Sequence, residues 1–200
     1  MTAALKLPPR RMTVAEFLSW DPEDGTGALW QLRDGEPEMM APATDAHGSV
    51  QSELSFLLTG HLRASGSRCR VVANPGVVPR VRSDRNMLIP DIGITCAPPS
   101  TERAIPEPVA LIEILSPSNE AETRANVWAY TTIPSVAEIA MVGSTEVSAE
   151  VLRRRPDGTW PERPESVGPG GELRFESIGF AAPLLAAYAT TPLASAAAAG

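Results

Sequence analysis

The stretch VALIEILS, Val109 to Ser116, places one carboxylate, Glu113, inside a run that is otherwise almost continuously apolar. Such a run reads as a central strand buried on both faces. An unpaired carboxylate there costs roughly several kcal/mol, so Glu113 must be neutralised, paired or bound to a cation. Earlier in the chain, IPDIGITC, Ile89 to Cys96, carries Asp91 between Pro90 and Ile92 on a half-alternating run. If the two strands pair, both carboxylates project from the same region of a sheet. Together with backbone carbonyls and water they form an oxygen-rich site suited to Mg2+ or Mn2+. Such a cation activates water and stabilises charge on a phosphodiester. The plainer readings are a strand-start turn residue for Asp91 and a buried ion pair with an Arg for Glu113.

Further extended segments surround this pair: CRVVA (69–73), VVPRV (77–81), EIAMVG (138–143), VSAEVLRR (147–154) and LRF (173–175). Upstream, Thr13 followed by Glu16 is a capping-box pattern that opens a short helix through Trp20. LWQLR and EPEMM flank Asp34-Gly35, which reads as a tight hairpin turn. Asp45 caps a longer helix ending near Gly66, with Val50, Leu54, Leu57, Leu58 and His61 on its apolar side. Ser118 or Asn119 caps a second one, from Glu120 to about Thr131, closed by Ile133-Pro134. Asp157-Gly158 reads as a second hairpin turn. The order hairpin, helix, strands, helix, strands describes a mixed α/β (α+β) domain with helices on the faces of a central sheet.

The chain of 200 residues, 43% hydrophobic and 20% charged, supports one domain with a real core. The expected organisation is a flexible segment 1–11, a single domain 12–190 and an Ala-rich disordered tail 191–200. A net charge of −7 gives no overall positive field for nucleic acid or anionic lipid, though a local basic patch stays open. Of the 17 basic residues only Lys6 is a lysine, so a mechanism needing an active-site lysine is in difficulty. Cys69 and Cys96 form no disulfide framework or zinc motif and read as reduced thiols. With neither a signal-peptide core nor a membrane span in the sequence, the expected location is cytoplasmic.

The residues WQLRDGE (30–36), Met39-Met40-Ala41-Pro42 and His47 resemble the opening of the Uma-two family, restriction-endonuclease-like proteins of the PD-(D/E)XK superfamily. Pro90-Asp91-Ile92, LIEILSPS (111–118), Tyr130 and Pro134-Ser135 continue the resemblance in order, from about Met12 to Tyr188. The block LSPS after a strand-borne Glu is its most specific piece. The resemblance implies a restriction-endonuclease-like core and a metal-dependent endonuclease acting on DNA, with Mg2+ or Mn2+ as cofactor. It makes Asp91 and Glu113 metal ligands and catalytic residues, with the backbone carbonyl of Ile114 as a further ligand. The superfamily lysine two residues after that Glu is here Leu115. The lysine the family carries on the following helix, four residues before the Tyr, is here Asn126, with Glu122 at the place of a preceding acid. The family's Tyr-Glu in the first hairpin strand is here Trp30-Gln31.

With no lysine, Asn126 would orient the attacking water and one of the Arg residues would hold the scissile phosphate. Arg124, on the same helix, points about 160° away from Asn126 if the helix is regular. His47, Arg82, Glu122 and Tyr130 are candidates for phosphate contact or for support of the ligands. For His47 the alternative is a satisfied core histidine. Arg80, Arg82 and Arg85 read either as contacts to a nucleic-acid backbone or as an ordinary solvated strand end. Arg153, Arg154 and Arg155 read as charges protecting an edge strand. His61, Trp128 and Trp160 read as structural, and Glu53 as a solvated charge. The alternative function, favoured by the missing lysine, is a catalytically inactive binding or assembly module that keeps the nuclease fold. A homodimer is the expected assembly.

Overall fold

The computed structural model describes residues 11–22, 27–117 and 119–197. Helix α1 (Val14–Ser19) opens on the expected capping box, with Thr13 and Glu16 bonded reciprocally. Strands β1 (Trp30–Arg33) and β2 (Glu36–Met39) pair antiparallel across Asp34-Gly35. Both turn residues take positive φ, 50° and 83°, as the tight turn requires. Leu32 anchors this hairpin through two backbone hydrogen bonds with Met87, and packs with Phe17, Trp30 and Met87 in a small core of its own.

Helix α2 (Asp45–Ala64) is capped by the Thr44 side chain rather than by Asp45, which lies in the first turn. A six-stranded mixed sheet follows, with β3 (Arg70–Ala73), β4 (Ile92–Thr95), β5 (Pro108–Leu115), β6 (Glu138–Gly143), β7 (Ala149–Arg153) and β8 (Glu165–Val167) adjacent in chain order. Only β5 and β6 are parallel, joined over the sheet by α3 (Glu120–Tyr130). A separate pair, β9 (Glu172–Phe175) and β10 (Phe180–Pro183), belongs to the C-terminal segment. Residues 77–81 form no strand: Val77 makes one bridge, to Leu88, and Pro79 has no N–H to extend it.

Alternation along β5 sets the two faces of the sheet. Ile112 and Ile114 pack with Val50, Leu54 and Leu58 of α2 and with Phe175, Phe180 and Tyr188 of the C-terminal segment. Leu111 turns the other way, toward Val127 and Tyr130 of α3. Glu113 shares the parity of Leu111 and therefore lies on the α3 face.

The basic run at the end of β7 is engaged inside the fold rather than guarding an edge. Arg153 pairs with buried Glu138, and Arg154 donates to the carbonyls of Thr131, Ile133 and Val136 beside the ring of Trp160. Cys69 and Cys96, read as free thiols, are joined in a disulfide. The β3–β4 register sets Arg70 opposite Thr95, which brings the two cysteines face to face across 27 residues of sequence. Where a disordered tail is expected, Pro192–Ala197 form a short helix, α4, as Pro in the first turn and Ala thereafter favour. Lys6 and Ser118 lie outside the described residues.

Candidate active site

Asp91 sits in the bend just before β4, since Pro90 cannot continue the ladder. The β4–β5 register pairs Ile92 with Ile112, so the next step outward sets Asp91 opposite Glu113. Both are buried, 7% and 5% exposed. Asp91 Oδ2 accepts the backbone N–H of Ile114 at 2.7 Å. Its Oδ1 lies 2.8 Å from His47 Nε2, contributed by the first turn of α2. Gln51, one turn further along α2, donates to the Asp91 carbonyl at 2.7 Å and to Asn74 Oδ1 at 3.0 Å.

Glu113 Oε1 accepts the hydroxyl of Tyr130 at 2.6 Å, a bond wholly inside the protein. The amide of Asn126 and the backbone N–H of Asp91 face the same carboxylate. Burial, and then the charge of Asp91, hold Glu113 well above the usual carboxylate range, although all three donors favour its ionised form. Burial and the Glu113 charge likewise push the Tyr130 hydroxyl up. Tyr130 thus stays a donor.

Further polar groups come from the hairpin. Alternation in β1 buries Leu32 and leaves Gln31 and Arg33 together on its other face, beside Glu38 of β2. Arg33 Nε donates to Glu38 at 2.9 Å, Nη2 to Glu122 at 2.7 Å and Nη1 to Asn126 Oδ1 at 2.9 Å. Burial works against that charge, but the two glutamates hold the guanidinium above its ordinary pKa. Gln31 donates to Glu38 at 3.2 Å and Glu122 at 2.9 Å, while its buried Oε1 has no partner among the described residues.

Seven of the sequence-predicted residues therefore come together: Asp91, Glu113, Ile114, Asn126, His47, Glu122 and Tyr130. Arg82 does not join them; it pairs with Asp34 at the hairpin turn. Arg124 turns to Glu120 and Glu150, on the other side of α3 from Asn126, as helical geometry requires. Gln31, Arg33, Glu38 and Gln51 were missed. The signal for the first three was present, because a tight turn at Asp34-Gly35 sets Gln31 opposite Glu38 and leaves Arg33 on the same face. A cavity of about 470 Å³ lined by Phe17, Trp20, Trp30, Met87, Ile89 and Arg103, among others, includes neither carboxylate.

The sequence model of the Uma2 family, described as "Putative restriction endonuclease", matches residues 14–180. The chain belongs to the Uma2 family. A crystal structure from Anabaena variabilis, described as a "putative nuclease", superposes with a TM-score of 0.68 at 16% identity, over 88% of this chain and 97% of that one. At that identity the likeness establishes the shared fold, a nuclease-like mixed sheet with flanking helices. No curated protein matches the sequence. No helix among the described residues of this Uma2 protein is long and apolar enough to cross a membrane.

The donors of the site suit a hard divalent cation. Two buried carboxylates face each other, and no Lys or Arg bonds to either among the described residues. A buried oxygen without a donor, Gln31 Oε1, lies in the same polar cluster. Among the described residues no three or more His, Cys, Asp and Glu side chains are grouped so as to hold a metal ion, so a cation here would have two carboxylates and need other oxygen ligands. Two carboxylates completed by water is the habit of Mg2+, which keeps much of its hydration.

Proposed function

We propose that this Uma2 protein is a metal-dependent endonuclease that hydrolyses DNA phosphodiester bonds, with Asp91 and Glu113 holding one Mg2+ or Mn2+ ion. The observation that carries this reading is the register of β4 and β5, which faces two buried carboxylates with no Lys or Arg bonded to either among the described residues. The backbone carbonyl of Ile114 completes the protein's share of the ligands, next to the N–H already bonded to Asp91. When bound, the cation would lower the pKa of a water molecule and offset charge on the phosphate.

The chain's own residues prepare that site. His47 fixes Asp91 Oδ1 and the Ile114 N–H fixes Oδ2, so the carboxylate cannot rotate. Tyr130 holds Glu113 Oε1, leaving the rest of that carboxylate toward Asp91 and Asn126. Asn126 has its oxygen turned to Arg33 and so presents its NH2 group inward, where it orients water. Hydrolysis adds this water's oxygen to phosphorus and breaks one P–O ester bond, and the water's proton leaves with the alcohol.

The test is cleavage of single- and double-stranded DNA with Mg2+ or Mn2+, using Asp91→Ala and Glu113→Ala as controls. Metal-dependent cleavage abolished in both variants is expected. Cleavage that persists in both rejects the assignment. An absence of cleavage with metal-dependent stabilisation intact supports the binding or assembly module instead.

A further inference from the structure

The polar cluster holds more negative than positive side chains. Asp91, Glu113, Glu38 and Glu122 all bring carboxylates, and among the described residues Arg33 is the Lys or Arg side chain hydrogen-bonded into it. A phosphodiester entering such a site adds a further negative charge. Arg33 is placed to meet it. Its guanidinium has five N–H groups, of which one each on Nε, Nη1 and Nη2 is engaged by Glu38, Asn126 and Glu122. One hydrogen on each Nη is left over, and the side chain is still 25% exposed. Two glutamates alone would anchor the hairpin. The third bond, to Asn126, carries the cation to the residue that faces Glu113.

We propose that Arg33 is the phosphate-binding cation of this site. Glu38 and Glu122 brace the guanidinium, Asn126 spaces it from Glu113, and its two remaining N–H groups hold a non-bridging oxygen of the scissile phosphate. A delocalised planar cation suits such a two-point contact better than an ammonium does. The inference rests on the nuclease reading for its substrate, and its test separates the two.

Binding is measured by fluorescence anisotropy on a labelled phosphorothioate DNA duplex in Ca2+ over a range of salt, alongside cleavage of ordinary duplex in Mn2+. The proteins are wild type, Arg33→Met, Arg33→Lys and the double variant Arg33→Met with Asn126→Lys, each checked for folding by circular dichroism. Arg33→Met is expected to weaken binding about tenfold or more and to reduce the salt slope by about one phosphate contact. The double variant regains much of both, because the new ammonium stands where the Arg33 donor stood. Arg33→Lys keeps the slope and loses part of the affinity; should Arg33→Met fail to fold, this variant and the double variant carry the test.

Wild-type affinity and slope in folded Arg33→Met overturn the proposal, whether or not the protein cuts. So does wild-type protein that binds no duplex. Binding that depends on Arg33 without cleavage by any protein leaves the cation assignment standing and removes the nuclease reading. Cleavage with unchanged kcat and KM in Arg33→Met does the reverse.

Discussion

Replacing Glu113 by Gln separates a metal site from a buried acid kept neutral for structural reasons. Directly opposed residues on antiparallel strands have side chains about 5 Å apart, and at an effective dielectric constant of about 20 two unit charges there repel by roughly 3 kcal/mol. Burial first, and then this repulsion, raise the Glu113 pKa. An acid raised in the folded state contributes its full share of stability below its unfolded pKa. It loses that share as pH climbs through the folded value. Metal-free wild type should therefore lose stability as pH rises above the ordinary carboxylate range, and Glu113→Gln should be flatter with pH, because a neutral amide still accepts from Tyr130.

Cation binding reverses the sign, since it requires the ionised form. At free Mn2+ about a hundred times Kd, linkage gives about 2.7 kcal/mol. For a chain of this size that is a rise in Tm of about 5 to 11 °C. The assay is thermal unfolding with and without Mn2+ from pH 6 to 9. Wild type should show a Mn2+ increment that grows with pH, and Glu113→Gln almost none. An equal increment in the two proteins, or one that shrinks as pH rises, refutes the reasoning.

Three further outcomes follow from named contacts. Tyr130→Phe leaves Glu113 Oε1 without its hydroxyl donor; a loss of about 1 to 3 kcal/mol is expected, read as a lower urea midpoint at constant m. His47→Ala frees the Asp91 carboxylate and should weaken Mn2+ binding by calorimetry about 10- to 100-fold, with His47→Gln closer to wild type. Glu138→Ala strands the N–H groups of Glu176 and Ser177 and one donor of Arg153; faster hydrogen exchange at 176–178 than in β5 is the expected signature.

The acids were legible because each breaks the hydrophobic pattern of its own strand. Glu113 interrupts VALIEIL, and Asp91 follows a proline that sets where β4 begins. Local patterns also gave the hairpin, α2, α3 and the central strands. What stayed hidden depends on distance in the chain. Cys69 meets Cys96 only because β3 and β4 pair in one register, and nothing in either segment specifies that partner. Arg153 and Arg154 look like surface charge, yet their guanidinium groups complete Glu138 and three carbonyls of the α3–β6 connection. The hairpin turn groups Arg33 with Gln31 and Glu38, but only α3 laid across the sheet brings Glu122 and Asn126 to it.

The two halves of the site answer to different cores, and this bears on how its charge can change. Asp91, just before β4, and Glu113, on β5, are held by the fully buried Ile92, Ile112 and Ile114 of the main core. A slip of one residue there would turn both acids into the main apolar core and the isoleucines onto the α3 face, so their positions are tied to the stability of the whole sheet. Gln31, Arg33 and Glu38 ride on a hairpin fastened by the Leu32–Met87 bonds and a small separate core. Residues on its other face are held by side-chain hydrogen bonds to Glu38, Glu122 and Asn126, so a change of charge there disturbs this network and leaves the main core intact. A cation for this site is therefore most cheaply supplied from β1, where Leu32 fixes the register and the Asp34-Gly35 turn fixes the reach of its neighbour.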